Sequence, residues 1–309
     1  MKLRVIAEAL ILAVFMIAVL VVILGRAMFT PADAEVTLSA ESYVQSGNRL
    51  YAAGRLKFND AAIQYWKAIE LNPDIADAHL KLAAIYYDYI WNNQTLRELD
   101  EVERIDPEYL GLPLLRGKIY QRMGETDKAF ESFKQAVISQ PENSEARFYL
   151  GIVYQQRGMS EAAVNEYEKA IEGNSDEMAV FKAHLQLGRI YKTSDRGRAK
   201  SELQKAMIID PASKEITSEL RNLYKQEAAD YEKQSEYIKA AEIYEEMLVI
   251  DPDNLANIGI YMQLGYIYKS YELYDKAIAA YEAVSRFDPL NFDAFSELRE
   301  IEILRGMKR

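Results

Sequence analysis

The feature that most constrains what this chain can fold into is a set of small, aromatic and proline residues that recurs about every 34 positions. Two successive copies keep the same offsets: Gly117, Tyr120, Gly124, Ala129, Phe133, Ala136 and Pro141 in the first, and Gly151, Tyr154, Gly158, Ala163, Tyr167 and Ala170 in the second. A period of this length is typical of proteins in which helix pairs stack on one another. The chain is therefore predicted to be a stack of helix pairs.

The residue types in this pattern indicate where the helices cross. Gly117 and Gly151 fall in the middle of predicted helices, where a glycine costs about 1 kcal/mol relative to alanine. Their recurrence therefore predicts a close approach of two helices rather than a helix-forming role. Prolines close the units, because a residue without an N–H stops the second helix. They are Pro73, Pro107, Pro141, Pro211, Pro252 and Pro289, with Ser175 at the one position that lacks a proline.

Because several of these positions recur together in register, the chain resembles the tetratricopeptide repeat (TPR) family over roughly residues 42–291. The resemblance implies an all-α fold, a right-handed superhelical TPR solenoid of about seven helix-pair units at residues 42–291. Residues 292–309 are predicted to form a C-terminal capping helix that covers the end of the stack. Residues 1–25 and 26–41 are predicted to be an N-terminal transmembrane anchor and a short tether.

Some segments depart from the repeat. The first unit fits only with an extra residue before Phe58. The second unit has Thr95, Leu99 and Val102 in place of the small and aromatic residues, so both units are expected to pack irregularly. Residues 214–220 continue a helical pattern and predict a first helix about two turns longer than the others. The capping helix is predicted to bury one face, formed by Phe292, Phe295, Leu298, Ile301 and Leu304.

The start of the chain carries a long apolar run at residues 5–24, which Glu8 alone interrupts. Twenty helical residues span about 30 Å, the thickness of a bilayer core, so the run is predicted to lie in the lipid bilayer. A cleaved signal peptide is the alternative, since residues 32–34 form an A-x-A-like site. The run is long for a signal peptide and the site lies far from it, which favours an uncleaved anchor.

The charges that flank this run predict its orientation. Lys2, Arg4 and the amino terminus precede it, whereas Arg26, Asp33 and Glu35 follow it. The positive-inside rule places the N-terminus in the cytoplasm and the repeats in the periplasm or another extracytoplasmic space. The reverse topology stays open.

Several classes of function find no support in the composition. The chain has no cysteine and two histidines, His79 and His184, which both fall at the fourth position of a first helix and are predicted to pack in the core. No catalytic, cofactor-binding or metal site is therefore predicted, and we do not expect an enzyme. A formal net charge of −11 speaks against binding to nucleic acid and suggests little adhesion to anionic lipid.

The family resemblance further implies that the first helices of the units line an inner groove. At the groove positions the chain has nine basic and five acidic residues, which predicts a surface for an acidic peptide segment. A merely solvated inner face is the alternative. The predicted peptide-groove residues are Lys81, Tyr87, Lys118, Arg122, Tyr149, Lys182, Gln186, Arg189, Lys192, Lys225, Lys233, Tyr266 and Lys269.

These features favour a non-catalytic scaffold or adaptor for protein–protein interaction, anchored in a membrane, that assembles or stabilises a membrane-associated complex. A structural subunit of one large membrane complex is a second hypothesis. A chaperone-like holdase for exported clients near the translocon, or a soluble exported adaptor after signal-peptide cleavage, remains the alternative.

Overall fold

The computed structural model describes residues 39–307, so the predicted anchor at residues 1–25 and most of the predicted tether lie outside the described residues. Within residues 39–307 the secondary structure is helical and contains no β-strand. The α-helices are α1 (Ala40–Ala52), α2 (Phe58–Leu71), α3 (Ala76–Asp88), α4 (Asn92–Ile105), α5 (Leu112–Met123), α6 (Thr126–Ser139), α7 (Ser144–Gln156), α8 (Ser160–Gly173), α9 (Glu177–Tyr191), α10 (Arg196–Ile209), α11 (Lys214–Lys233), α12 (Tyr237–Ile250), α13 (Asn257–Ser270), α14 (Tyr274–Phe287) and α15 (Phe292–Met307). The expected all-helical architecture is confirmed for these residues.

The described residues divide into two compact bodies, 39–85 and 86–307, and the boundary falls within α3. In the first body α1 packs against α2. Gly47 allows the contact, because a Cβ atom there would lie 2.6 Å from the Tyr65 ring. The extra residue expected before Phe58 belongs to a 3₁₀ turn, Arg55–Lys57, which Gly54 starts with a φ of 97°.

The second body is built from antiparallel helix neighbours along the chain. The pairs α5–α6, α7–α8, α9–α10, α11–α12 and α13–α14 pack most closely. Each second helix also contacts the first helix of the next pair. Such a fold gains its stability from contacts within each unit and with its immediate neighbours.

Glycines in the first helices make room for aromatic side chains of the second helices. A Cβ atom on Gly117 would lie 2.5 Å from the Phe133 ring, and one on Gly151 would lie 2.6 Å from the Tyr167 ring. Both rings are completely buried. The predicted packing role of these glycines is therefore confirmed, since any side chain would displace the ring that fills the unit's core.

Ser175 explains why one proline is missing from the repeat. Its backbone N–H donates to Ser144 Oγ at 3.0 Å, and its own Oγ accepts from the Ser144 N–H at 2.9 Å. A proline has no N–H and could not make the first of these bonds. The turn after α8 instead uses Asn174 in the left-handed conformation, with a φ of 43°.

The irregular second helix α4 packs through the residues that replace the repeat signature. Thr95, Leu99 and Val102 are all buried. Thr95 Oγ1 donates to the carbonyl of Trp91 at 2.9 Å, which satisfies the hydroxyl that burial removes from water. The departures from the pattern thus still supply a packed helix face.

Two helices of the second body, α11 and α15, differ in how well they match what the sequence predicts. α11 has 20 residues, as the extension at residues 214–220 predicted. α15 buries Ala294 and Ile301, but Phe292 and Phe295 are 85% and 68% exposed. The predicted buried face of α15 is therefore wrong at these two phenylalanines. Both phenylalanines lie on the same side of α15 as Arg299, which occupies the repeat position that Gly265 has in the preceding unit. In the described residues no second helix follows α15 to cover this side.

None of the helices in residues 39–307 combines the length and the apolar composition that crossing a bilayer requires.

Candidate peptide-binding face

The predicted groove residues all lie on first helices or directly after one. Lys81 belongs to the first body and the others to the second. Lys192 follows the end of α9, and every other member lies within a first helix. Their positions are α3 for Lys81 and Tyr87, α5 for Lys118 and Arg122, α7 for Tyr149, α9 for Lys182, Gln186 and Arg189, α11 for Lys225 and Lys233, and α13 for Tyr266 and Lys269.

Four of these residues form one cluster, which we term the aromatic–cation ladder: Tyr87, Lys118, Arg122 and Tyr149. Lys118 Nζ lies 5.9 Å from the centre of the Tyr87 ring and 5.6 Å from that of Tyr149. Arg122 Cζ lies 3.8 Å from the centre of the Tyr87 ring. Such contacts attract a cation to the negative face of an aromatic ring. The structure thus brings α3, α5 and α7 together at this point.

Stacking on a core ring and hydrogen bonds to neighbouring residues fix the geometry of the aromatic–cation ladder. Tyr149 stacks on Phe133 with ring centres 5.2 Å apart, and burial raises the pKa of its hydroxyl although the Lys118 charge opposes this. Arg122 donates to the Tyr87 carbonyl at 2.7 Å and to Asn92 Oδ1 at 2.9 Å. Its geometry is therefore determined by contacts within the protein.

Lys118 is paired within the protein as well. Its Nζ donates to Glu145 Oε1 on α7 at 2.9 Å. Burial by itself would lower the pKa of Lys118, but the hydrogen bond and the charge of Glu145 outweigh burial and raise it. Lys118 is therefore charged, and Glu145 on α7 largely neutralises its charge.

The same kind of pairing joins α9 to α11. Arg189 contacts Glu215 and lies 3.3 Å from Glu219 Oε1, and Lys192 Nζ lies 2.9 Å from Glu219 Oε2. Glu215 and Glu219 lie in the extra turns of α11. The long first helix therefore supplies carboxylates that neutralise the cations of the preceding one.

At the end of the second body Lys269 contacts two carboxylates of α15, Glu297 at 2.6 Å and Glu300 at 2.8 Å. Lys233 pairs with Asp230 on its own helix at 3.2 Å and stays well exposed. The excess of basic over acidic residues at the groove positions was counted without Glu215, Glu219, Glu297 and Glu300, because these residues lie outside the groove positions.

The spacing in the sequence could have identified such pairs. The cation precedes its carboxylate by 27 or 28 residues in Lys118–Glu145, Lys192–Glu219 and Lys269–Glu297.

Two predicted groove lysines of the second body, Lys182 and Lys225, have no carboxylate partner in the part of the chain that the structure describes. Lys182 Nζ lies 6.0 Å from the centre of the Phe148 ring, and Lys225 is exposed. Gln186 lies one turn from Lys182 on α9 and is partly exposed. Tyr266 on α13 is also accessible, at 47% exposure. These four residues are available to a ligand without breaking an internal ion pair.

The α9–α11 ion pairs predict a specific dependence of stability on pH. Burial by itself would raise the pKa of the Glu219 carboxyl, but Lys192 and Arg189 lower it below its ordinary value of 4.5. A carboxyl with a lowered pKa in the folded state stabilises that state above its ordinary pKa, and the contribution is lost as the pH falls through the lowered value. As the pH falls below the ordinary carboxyl pKa of 4.5, the urea midpoint of the wild type should therefore fall more steeply than that of Glu219→Gln. Parallel profiles of the urea midpoint against pH would contradict the lowered pKa.

Both histidines are buried, as predicted for packing residues. His184 Nδ1 lies 2.7 Å from Glu202 Oε2, and His79 Nε2 lies 3.1 Å from the Pro73 carbonyl oxygen. Burial would raise the pKa of Glu202, but the hydrogen bonds from His184 and Lys205 lower it. Among residues 39–307 no group of three or more side chains is arranged to hold a metal ion.

Comparison with known protein families finds the repeat directly. Two family models described as tetratricopeptide repeat match residues 114–179 and 258–289. The first match contains the Gly117–Phe133 and Gly151–Tyr167 contacts, and the second contains Gly265 and Tyr281. The matched segments thus include the glycine and aromatic residues that form the unit cores.

Curated relatives and solved structures extend the likeness beyond these segments. DnaJ homolog subfamily C member 3 from Gallus gallus is 24% identical over 281 residues, which cover 84% of this chain and 54% of the relative. A tetratricopeptide repeat and J domain-containing co-chaperone from Cryptococcus neoformans is 25% identical over 195 residues, covering 60% of this chain and 37% of the relative. The chain spans about half the length, or less, of these curated relatives.

Among solved structures, the C-terminal part of a TPR repeat-containing protein from Cytophaga hutchinsonii superposes with a TM-score of 0.55 and 18% identity, covering 84% of this chain and 98% of that one. This likeness concerns the fold. The chain therefore carries tetratricopeptide repeats, which imply a role in protein–protein interaction.

Proposed function

We propose that this chain is a non-catalytic adaptor that is held at a membrane by residues 5–24 and binds an acidic segment of a protein partner on the first helices of its repeats. The observation that carries the proposal is that, within residues 39–307, Lys182 and Lys225 have no carboxylate partner, although cations on the same two helices have one. Unpaired cations on a TPR face favour an acidic ligand and discriminate against a basic one.

The accessible neighbours of these cations suit a peptide. Gln186 offers both a donor and an acceptor to a peptide backbone, and Tyr266 offers an exposed ring to apolar side chains. A partner that binds here assembles a complex at the membrane surface, with the repeats in the periplasm or another extracytoplasmic space. The apolar run and the preceding Lys2 and Arg4 support this placement.

A photo-crosslinking amino acid at position 186 in the full chain tests the binding face. We expect crosslinks to one partner segment rich in Asp and Glu, and their loss in the Lys182→Glu/Lys225→Glu variant. The matched control is Lys134→Glu/Lys214→Glu, which makes the same change of charge at exposed positions outside the predicted face. Crosslinks that persist in the first variant, or that vanish equally in the control, contradict an acidic ligand at these lysines.

The similarity to DnaJ homologues and to a protein named as a co-chaperone favours a second candidate, a chaperone-like holdase for exported clients. The two functions differ in stoichiometry. Purification from detergent-solubilised membranes should yield a few partners at a constant ratio for an adaptor, but many clients at low occupancy for a holdase. Mass spectrometry of the chain's own N-terminus in the same sample separates an anchored chain that begins at Met1 from a cleaved one that begins at Glu35.

A further inference from the structure

The turn between α1 and α2 holds an apolar side chain fully in solvent. Leu56 is 99% exposed and is flanked by Arg55 and Lys57, which are also exposed. The turn is short and defined, because Gly54 adopts a φ of 97° and the three following residues form a 3₁₀ turn. Lys57 pairs with Asp60 at 3.1 Å, which helps to hold the start of α2. Leu56 therefore contributes nothing to the core of the first body.

The outer side of α2 continues this apolar exposure. Ile63 and Trp66 lie about one turn apart and are 44% and 45% exposed. The opposite side of the helix carries Tyr65 and Ala68, both fully buried against the core of the first body. An indole ring with an apolar body and a polar N–H prefers the boundary between an apolar phase and water.

The charge of the chain is divided unevenly between its two parts. Residues 1–85 contain eight Lys and Arg and eight Asp and Glu residues, so the whole excess of eleven negative charges lies in residues 86–309. The expectation of little adhesion to anionic lipid therefore applies to the second part of the chain. The first part faces no net repulsion from a negatively charged membrane surface.

The first body also lies close to the predicted anchor in sequence. Fifteen residues separate Leu24, the end of the apolar run, from Ala40, the start of α1. A fully extended chain of this length reaches about 50 Å at most. If residues 5–24 are in the bilayer, as the proposed function assumes, the α1–α2 hairpin is always within reach of the same membrane surface.

We propose that the α1–α2 hairpin docks on the lipid bilayer surface beside the anchor. Leu56 enters the boundary between headgroups and acyl chains, Arg55 and Lys57 lie at the level of the lipid phosphates, and Trp66 lies at the interface. Long basic side chains can keep their charge in the headgroup layer while an apolar neighbour inserts, and aromatic residues favour the same depth. Apolar area and local cations together determine the strength of such binding.

Fluorescence of Trp66 in the full chain tests this proposal. The chain has two tryptophans, so Trp91→Phe leaves Trp66 as the only indole. In vesicles of phosphatidylcholine and phosphatidylglycerol with bromine near the headgroup end of the acyl chains, we expect about a twofold loss of Trp66 fluorescence relative to unbrominated vesicles. Leu56→Asp should restore the fluorescence without affecting the fold. Leu290→Asp, at an 84% exposed position of the second body, should leave the quenching unchanged.

Unquenched Trp66 overturns the docking proposal, and so does quenching that Leu56→Asp leaves unchanged. Extraction of the vesicles with alkaline carbonate tests separately whether residues 5–24 anchor the chain in the bilayer. A chain that resists extraction but shows an unquenched Trp66 is anchored and does not dock. A chain that is both extracted and unquenched contradicts the anchor and the docking together.

Discussion

Arg147→Met should lower the free energy of unfolding by about 3 kcal/mol, because it leaves a buried carboxylate without its main partner. Arg147 Nη1 on α7 lies 2.9 Å from Glu166 Oε2 on α8, and the two side chains are only 14% and 10% exposed. Lys169 and Asn165 contact the other oxygen of Glu166 at 3.3 Å, so some compensation remains. Urea denaturation followed by circular dichroism measures the change.

Two further variants test whether burial of the Arg147–Glu166 pair is the reason for the large loss of stability. Lys128→Met removes a cation from the exposed Lys128–Glu125 pair, in which the Lys128 side chain is 63% exposed, and should cost much less stability than Arg147→Met. The double variant Arg147→Met/Glu166→Met removes both buried charges and should recover much of the lost stability. Equal losses in Lys128→Met and Arg147→Met would show that burial does not govern the effect.

Gly265→Ala should destabilise the protein by about 1–3 kcal/mol, although alanine is the better helix former. A Cβ atom at this position would lie 2.5 Å from two atoms of the Tyr281 ring, which is fully buried and cannot move aside. The same urea titration measures the loss.

Gly259 lies on the same helix, α13, and provides the matched control. A Cβ atom there would meet nothing within 4 Å, so Gly259→Ala should stabilise the protein by up to about 1 kcal/mol through helix propensity alone. The two substitutions are chemically identical and differ only in what the new methyl group meets. Shifts of the same sign in both variants would contradict the packing role of Gly265.

Much of the fold could be predicted from the sequence because the repeat encodes contacts within one unit. Gly117 and Phe133 lie 16 residues apart in the same unit, and the structure places them in contact. The longer α11 was visible as a helical pattern at residues 214–220. Phe292 and Phe295 were mispredicted because α15 copies the pattern of a first helix, but no second helix packs against its outer side in the described residues.

The candidate face was less predictable than the fold. Family positions identified its cations, yet they do not reveal which of these cations are already paired. Lys269 meets Glu297 and Glu300 on α15, which the groove positions do not include, and Arg189 meets Glu215 in the added turns of α11. The prediction that the face binds a peptide therefore depends on Lys182 and Lys225 rather than on the total charge.

The amino-acid sequence by itself determined the helix pairs and their glycine–aromatic contacts, because each contact joins residues at fixed offsets within one repeat and requires a small residue opposite a large one. Only the tertiary structure decided which cations remain available to a partner. A long basic side chain reaches a carboxylate 27 or 28 residues further along the chain only when the two helices stack closely, so its pairing depends on the packed distance between successive units.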